Sequence, residues 1–398
     1  MRLRRTMTFA INCAAAAASL LIADIAMAQT ITVGPREILI PAAQRPSGWP
    51  DNTMGVVPLG GDQYYFYGVY PGAMGQPLRG WGTFDNPFKY GWSQISIPFK
   101  DSWNYGGGGP IYVDSSGTWI MFYHVEKWNC GNWQAYHSWI GMAKSADRGD
   151  TWTDLGLILS TNIPYDPTDC TPNWVYARDM LGGEFVIKSE ADGFDYFYVY
   201  FRDYLGSSAA DLVLSSWSVS RARVADVLAA AETGEAAAFT KYYNGSFSQP
   251  GLGGPSTDMF PTGMRIHDSF PDVTWNTAIN KFVFVGAAQT SGGTKLFYLD
   301  SPDGITWGNA QRLSEWRGPY ITIVGPGTGN SRVTGAQFYL YYTDVVPGQP
   351  DWNYGDTVRQ LITVSAPDRV NDSRASVHAY NLRTRAPECR KVISGLGS

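Results

Sequence analysis

The chain has 398 residues, 44% hydrophobic and 16% charged, with 30 Lys and Arg against 35 Asp and Glu for a net charge of −5. This apolar content and small net charge exclude a disordered chain, and the acidic balance argues against a nucleic-acid partner. With 15 Trp, 24 Tyr, 18 Phe and 44 Gly, the composition points to many short strands joined by tight turns.

Residues 1–28 read as a signal peptide. Arg2, Arg4 and Arg5 precede an apolar run rich in Ala and Leu, which ends in the small-x-small sequence Ala26-Met27-Ala28. The alternative is a membrane anchor, but Asn12 and Asp24 interrupt a run already short for a spanning helix. Cleavage after Ala28 would release a chain without a membrane partner, secreted or periplasmic, starting at Gln29. In that compartment disulfides form. Cys130 and Cys170 lie in similar Trp/Asn-rich segments and are expected to pair, leaving Cys389 free in a polar tail over 386–398. Zinc is the poorer reading, because the C-x2-C spacing is missing.

A strand of aromatic and aliphatic residues recurs five times along 29–385: Tyr64–Val69, Trp119–His124, Tyr196–Phe201, Phe282–Val285 and Phe338–Tyr342. A second strand follows four of the copies, and in two it continues into an Asp-box, Ser145 to Trp152 and Ser301 to Trp307. The Asp and Gly of that motif build a tight turn, and its Trp packs between neighbouring sheets. The pattern predicts one all-β domain, a five-bladed β-propeller with long loops and the Asp-box turns away from the active face. An antiparallel sandwich is the alternative. A single helix is expected from Arg223 to about Phe239, inserted in the third blade, where Val224, Val227, Leu228 and Ala231 follow helical spacing.

A propeller aims the start of each innermost strand at one end of its channel. The residues upstream of the aromatic strands are therefore the functional candidates. Three blades place a carboxylate there: Asp51, Glu184 and Asp272, expected to be catalytic, with Asp268 close by. Two carboxyl groups across a cleft are the minimum for glycoside hydrolysis, and a third shifts the proton affinity of its neighbours. Trp49, Asn52, Trp103, Arg178, Asp179, His267, Asp268 and Tyr320 are the expected substrate-binding residues, since sugars stack on rings while polar groups take the hydroxyls. The four consecutive glycines Gly106 to Gly109 imply a close backbone approach. Glu126, Asp203 and Asp344 end second strands and read as structural, and 241–254 reads as an ordered loop over the channel mouth. The four His do not cluster, and no G-x-S-x-G elbow or phosphate-binding glycine loop is present, so no metal or cofactor is expected; nothing indicates a structural Ca²⁺.

On the Trp49-Pro50-Asp51-Asn52 start of blade one, the repeated Gly/Asp–aromatic strands and Pro271 to Asn276 before Lys281-Phe282-Val283-Phe284, the chain resembles the five-bladed propeller glycosidases. That superfamily holds arabinanases, β-xylosidases and fructan hydrolases, and the last segment is similar to bacterial propellers related to D-arabinan hydrolases. The resemblance implies a glycosidase acting on a poly- or oligosaccharide, of arabinan or furanoside type, and a monomer is expected. It also implies that Asp51 is the base or nucleophile and Glu184 the acid, both matched by place in the repeat. A non-catalytic, lectin-like propeller is the alternative. A sialidase fits less well, because no Phe-Arg-Ile-Pro segment stands near the N-terminus.

Overall fold

On Tyr196 to Phe201, residues alternate toward opposite neighbours. Phe197, Val199 and Phe201 enter one core, while Tyr196, Tyr198 and Tyr200 enter the next. A strand with both faces buried carries no polar alternation, which explains its unbroken aromatic run. The computed structural model describes residues 29–365, apart from 47–48, 71–75, 174–179, 205–214, 261–264, 267–270, 291–292, 316–317, 319, 327–328, 330–331 and 345–354. The signal segment, the tail with Cys389, and Arg178, Asp179, His267 and Asp268 lie outside the described residues.

The strands form five antiparallel blades. Strand β1 (Thr30–Ile40) comes first and joins the last blade. Blade one is β2 (Gly55–Gly60), β3 (Gln63–Tyr70), β4 (Gln76–Thr83) and β5 (Asn86–Gln94). Blade two has a broken inner strand, β6 (Tyr105–Gly107) and β7 (Ile111–Val113), then β8 (Trp119–Trp128), β9 (Tyr136–Ser145) and β10 (Thr153–Ser160). Blade three is β11 (Leu181–Ser189), β12 (Asp195–Tyr204), β13 (Ser215–Arg223), helix α1 (Val224–Thr233), β14 (Thr240–Tyr243) and β15 (Ser246–Pro250). Blade four holds β16 (Arg265–Ile266), β17 (Asp272–Asn276), β18 (Lys281–Thr290), β19 (Gly293–Ser301) and β20 (Gly308–Glu315). Blade five is β21 (Thr322–Val324), β23 (Gln337–Asp344) and β24 (Asp356–Ser365), while β22 (Val333–Thr334) crosses to pair with β17 in parallel. β1 completes blade five by pairing antiparallel with β24, Thr30 opposite Ser365.

Five apolar cores lie between successive blades and close a ring. Tyr67 meets Tyr123 and Trp152 between blades one and two. Phe122 meets Phe185 and Phe197 between two and three, and Trp217 meets Phe284 and Trp307 between three and four. Val285 meets Ile323 and Phe338 between four and five, and Tyr341 meets Phe66 between five and one. Burying one such side chain is worth about 1.5–3 kcal/mol.

Two elements differ from the sequence reading. The helix stops at Thr233, because Gly234 adopts a left-handed φ of 83° and its N–H closes on Ala231. Residues 241–254 do not cover the mouth as a loop; β14 and β15 form a hairpin on the outer edge of blade three. The predicted tight turns do form. Ser145 Oγ accepts from Gly149 N (2.8 Å) and Asp147 accepts from Thr151 N (2.9 Å), with Trp152 buried. Ser301 and Asp303 repeat this toward Gly304 and Thr306. Both turns follow a third strand, at the end opposite to where inner strands begin.

Candidate active site at the channel mouth

Inner strands start at the mouth, so their leading side chains converge. Asp51, just ahead of β2, is partly exposed. Tyr105 from blade two donates to its Oδ2, and Tyr320 from blade five donates to its Oδ1 at 2.6 Å. Tyr320 holds φ at 66°, a left-handed geometry that a tyrosine keeps only where its surroundings impose it. Burial pushes the Asp51 carboxyl up to about 7; the two tyrosine hydroxyls pull it down, Glu126 pushes it up and His124 pulls it down.

Glu126, two residues before the end of β8, stands opposite Tyr105 in register. Its side chain is 14% exposed. His124 Nε2 lies 3.0 Å from one carboxylate oxygen, and Trp128 Nε1 donates to the other at 2.9 Å. His124, Glu126 and Trp128 share one face of the strand by simple alternation. The second ring nitrogen of His124 lies 3.1 Å from Met180 O, so it carries a hydrogen, as a carbonyl only accepts.

Glu184 reaches the channel through a bulge. Gly182 and Gly183 hold φ of 124° and 109°, and the register with β12 slips between Gly182 and Glu184. The carboxyl is fully enclosed, and neither oxygen meets a hydrogen-bond donor among the described residues. Burial first, and Asp272 second, hold its pKa well above the usual carboxylate range. Thr53 and the backbone N–H of Glu184 oppose this, but the Thr53 hydroxyl is directed at Pro271 O (3.2 Å).

Asp272 is also enclosed. Its oxygens accept from Val273 N (2.8 Å) and Ile323 N (2.7 Å), which ties blade four to blade five. Further along the channel Arg332 donates to Ile111 O, with its guanidinium 5.0 Å from the Phe185 ring centroid. Burial lowers its pKa to about 10, against the opposing influence of Tyr112 and Asp272.

Of the sequence-predicted binders, Tyr320 stands on Asp51 and Trp103 is partly buried near the mouth. Trp49 is fully buried, packed on Phe88 at 4.7 Å with Gly68 beneath it, and has no ring face open to a ligand. Asn52 is buried with its amide spent on Gly108 O and Val69 N. It braces β3 of blade one against the glycine run in the broken inner strand of blade two. Tyr105, His124 and Glu126 stand outside the site residues expected from the sequence; the alternation His124-x-Glu126-x-Trp128 is the signal it offers for them. No group of three His, Cys, Asp or Glu fit to hold a metal occurs among the described residues.

The Cys130–Cys170 bridge forms, with Cα atoms 5.7 Å apart, and ties the loop after β8 to the loop after β10. No family model and no curated protein matches the chain. Among solved structures it is similar to an α-L-arabinofuranosidase of Podospora anserina in complex with cellotriose (11% identity, 86% of this chain and 98% of that one, TM-score 0.49). It is also similar to the catalytic domain of an α-L-arabinofuranosidase of Coprinopsis cinerea (11%, 85% and 98%, 0.47). A third similar structure is a family 117 glycoside hydrolase of Zobellia galactanivorans (12%, 91% and 99%, 0.47).

Proposed function

We propose that this chain is an exported glycoside hydrolase in which Asp51 and Glu126 act on the scissile bond. The observation that carries this reading is the contrast between two neighbouring carboxyl groups at one mouth. Asp51 is raised to about 7, which suits a proton donor to a leaving oxygen near neutral pH. Glu126 accepts from the Trp128 indole N–H and lies 3.0 Å from a His124 ring nitrogen, a polar setting that suits the second carboxyl group of such a pair. The pairing of Asp51 with Glu184 has less support. Glu184 is enclosed and feels Asp272, whereas Asp51 feels Glu126. In this reading Asp272 ties blades four and five beneath the reacting pair, and Tyr105 and Tyr320 orient Asp51. Export is supported by the signal-like N-terminus and the disulfide.

The test is product detection on a polysaccharide and aryl-glycoside panel with the secreted protein, whose N-terminus should be Gln29. Asp51→Asn and Glu126→Gln should each lower turnover about 10²–10⁴-fold with the fold intact. Glu184→Gln, an isostere of the neutral acid, should stay within about threefold of the parent, far less than loss of a proton donor gives. Cleavage by none of the panel, or full activity in Asp51→Asn, would overturn the proposal. Binding without cleavage would point to a lectin-like propeller.

A further inference from the structure

We infer that the glycan at this mouth carries an anionic group, and that Lys127 receives it on an aromatic floor of Trp103, Trp139 and Tyr165. The inference rests on the proposed function for its location only. Lys127 follows Glu126 on β8, so its side chain leaves the opposite face of the strand. There its Nζ lies 4.9 Å from the Trp103 ring centroid and 5.9 Å from that of Tyr165. Trp103 and Trp139 are 5.2 Å apart, Trp139 and Tyr165 5.7 Å, and the His137 ring closes the group 5.3 Å from Tyr165.

Among the described residues no carboxylate forms an ion pair with Lys127, although acids outnumber bases in this chain, 35 to 30. Tyr165 is 40% exposed, while Lys127, Trp103 and Trp139 are partly exposed. Rings supply the apolar face that a sugar stacks on, but they do not satisfy the three N–H donors of an ammonium. A neutral sugar would leave those donors to water, whereas a uronic carboxylate or a sulfate ester would fill them.

The floor adjoins the reacting pair along the chain. Trp103 lies two residues before Tyr105, which donates to Asp51, and Lys127 adjoins Glu126. It is also ordered before any ligand arrives. The bridged loops are pinned by Asn129 Nδ2 to Asp169 O (2.8 Å) and Asn173 N to Gln134 O (2.7 Å), so binding need not order them.

Titration calorimetry on the mature chain tests this. The probes are oligogalacturonates, oligoglucuronates and sulfated galactan oligosaccharides, each beside its carboxyl-reduced or desulfated counterpart. At least one acidic probe should bind about tenfold more tightly than its neutral counterpart, as a charge-assisted contact gives, and which class does so identifies the anion. Lys127→Met keeps the stem on the rings and should bring that ratio to about one with neutral binding retained. Lys127→Arg should preserve the preference, and Tyr165→Ala should weaken both members of a pair. Equal affinity for acidic and neutral probes, a preference that survives Lys127→Met, or no binding of any probe would overturn the inference. Failure of the hydrolase reading has a different signature: binding with the acidic preference intact and no product.

Discussion

Asp51 and Glu184 are both carboxyl groups pushed toward the neutral form by burial, yet only Asp51 meets solvent and two hydroxyl donors. The consequence for stability follows from where each state holds its proton. An exposed Asp releases its proton near 3.8, the folded Asp51 near 7. Between those values the folded chain keeps a proton that the unfolded chain has lost, so this contribution is full below about pH 4, declines toward pH 7 and is flat beyond. Asp51→Asn removes the dependence. Thermal melts at pH 5 and pH 8 should show a larger fall for the parent than for the variant, an effect of up to a few kcal/mol. Equal falls would mean that Asp51 ionises as an exposed acid does. At this scale the sequence marked Asp51 and Tyr320, because each leads an inner strand. Trp49 looked like a loop aromatic, since the hollow left by Gly68, where a Cβ would stand 2.6 Å from the indole nitrogen, belongs to a strand distant in sequence. Glu126 reads as structural from its place near the end of a second strand, and the pairing with Tyr105 brings that end to the mouth.

Among the elements, β11 shows how sequence sets a side chain's aim. Its glycine pair allows the bulge that turns Glu184 inward, and Gly182 has no room for a side chain: a Cβ there would lie 2.5 Å from Tyr200 O. Gly182→Ala therefore meets both a left-handed φ and a backbone clash. Gly193, in a turn with φ 82° and open space around it, meets only the first. In urea unfolding Gly193→Ala should cost about 1–2 kcal/mol, and Gly182→Ala well above that, about 3 kcal/mol or more. Similar losses at both sites would show that the bulge tolerates a side chain. The inner aromatic strands were legible because burial on both faces leaves no other residue types. The hairpin of β14 and β15 was also written in the sequence: Asn244 and Gly245 take φ of 46° and 93°, the type I′ pair that joins two strands at a tight turn. The helix end is legible in Gly234 by the same logic, which the Ala-rich run beyond it does not show.

For the whole molecule, the decisive contact joins the two ends of the described chain. Blades one to four are each built largely from one stretch of sequence, but blade five needs β1 beside β24, more than 300 residues away. The register from Thr30 opposite Ser365 to Ile40 opposite Thr357 closes the ring. Arg36 reaches Asp344, Arg359 reaches Glu37 (2.7 Å), and Ile31 and Val33 pack on the core between blades four and five. Leu39 and Ile40 enter the core between blades five and one. Removing residues 29–40 would therefore strip one side of β24 of its hydrogen bonds and open two of the five cores at once. At about 1.5–3 kcal/mol per buried apolar side chain the loss is several kcal/mol, which for a chain of this size lowers the melting temperature by at least about 5 °C. The exposed β24 edge should also make the truncated protein prone to self-association. Calorimetry with light scattering on the truncated and parent chains measures both effects. A truncated chain that melts with the parent and stays monomeric would show that four blades and an open fifth suffice, and that the ring does not depend on its seam.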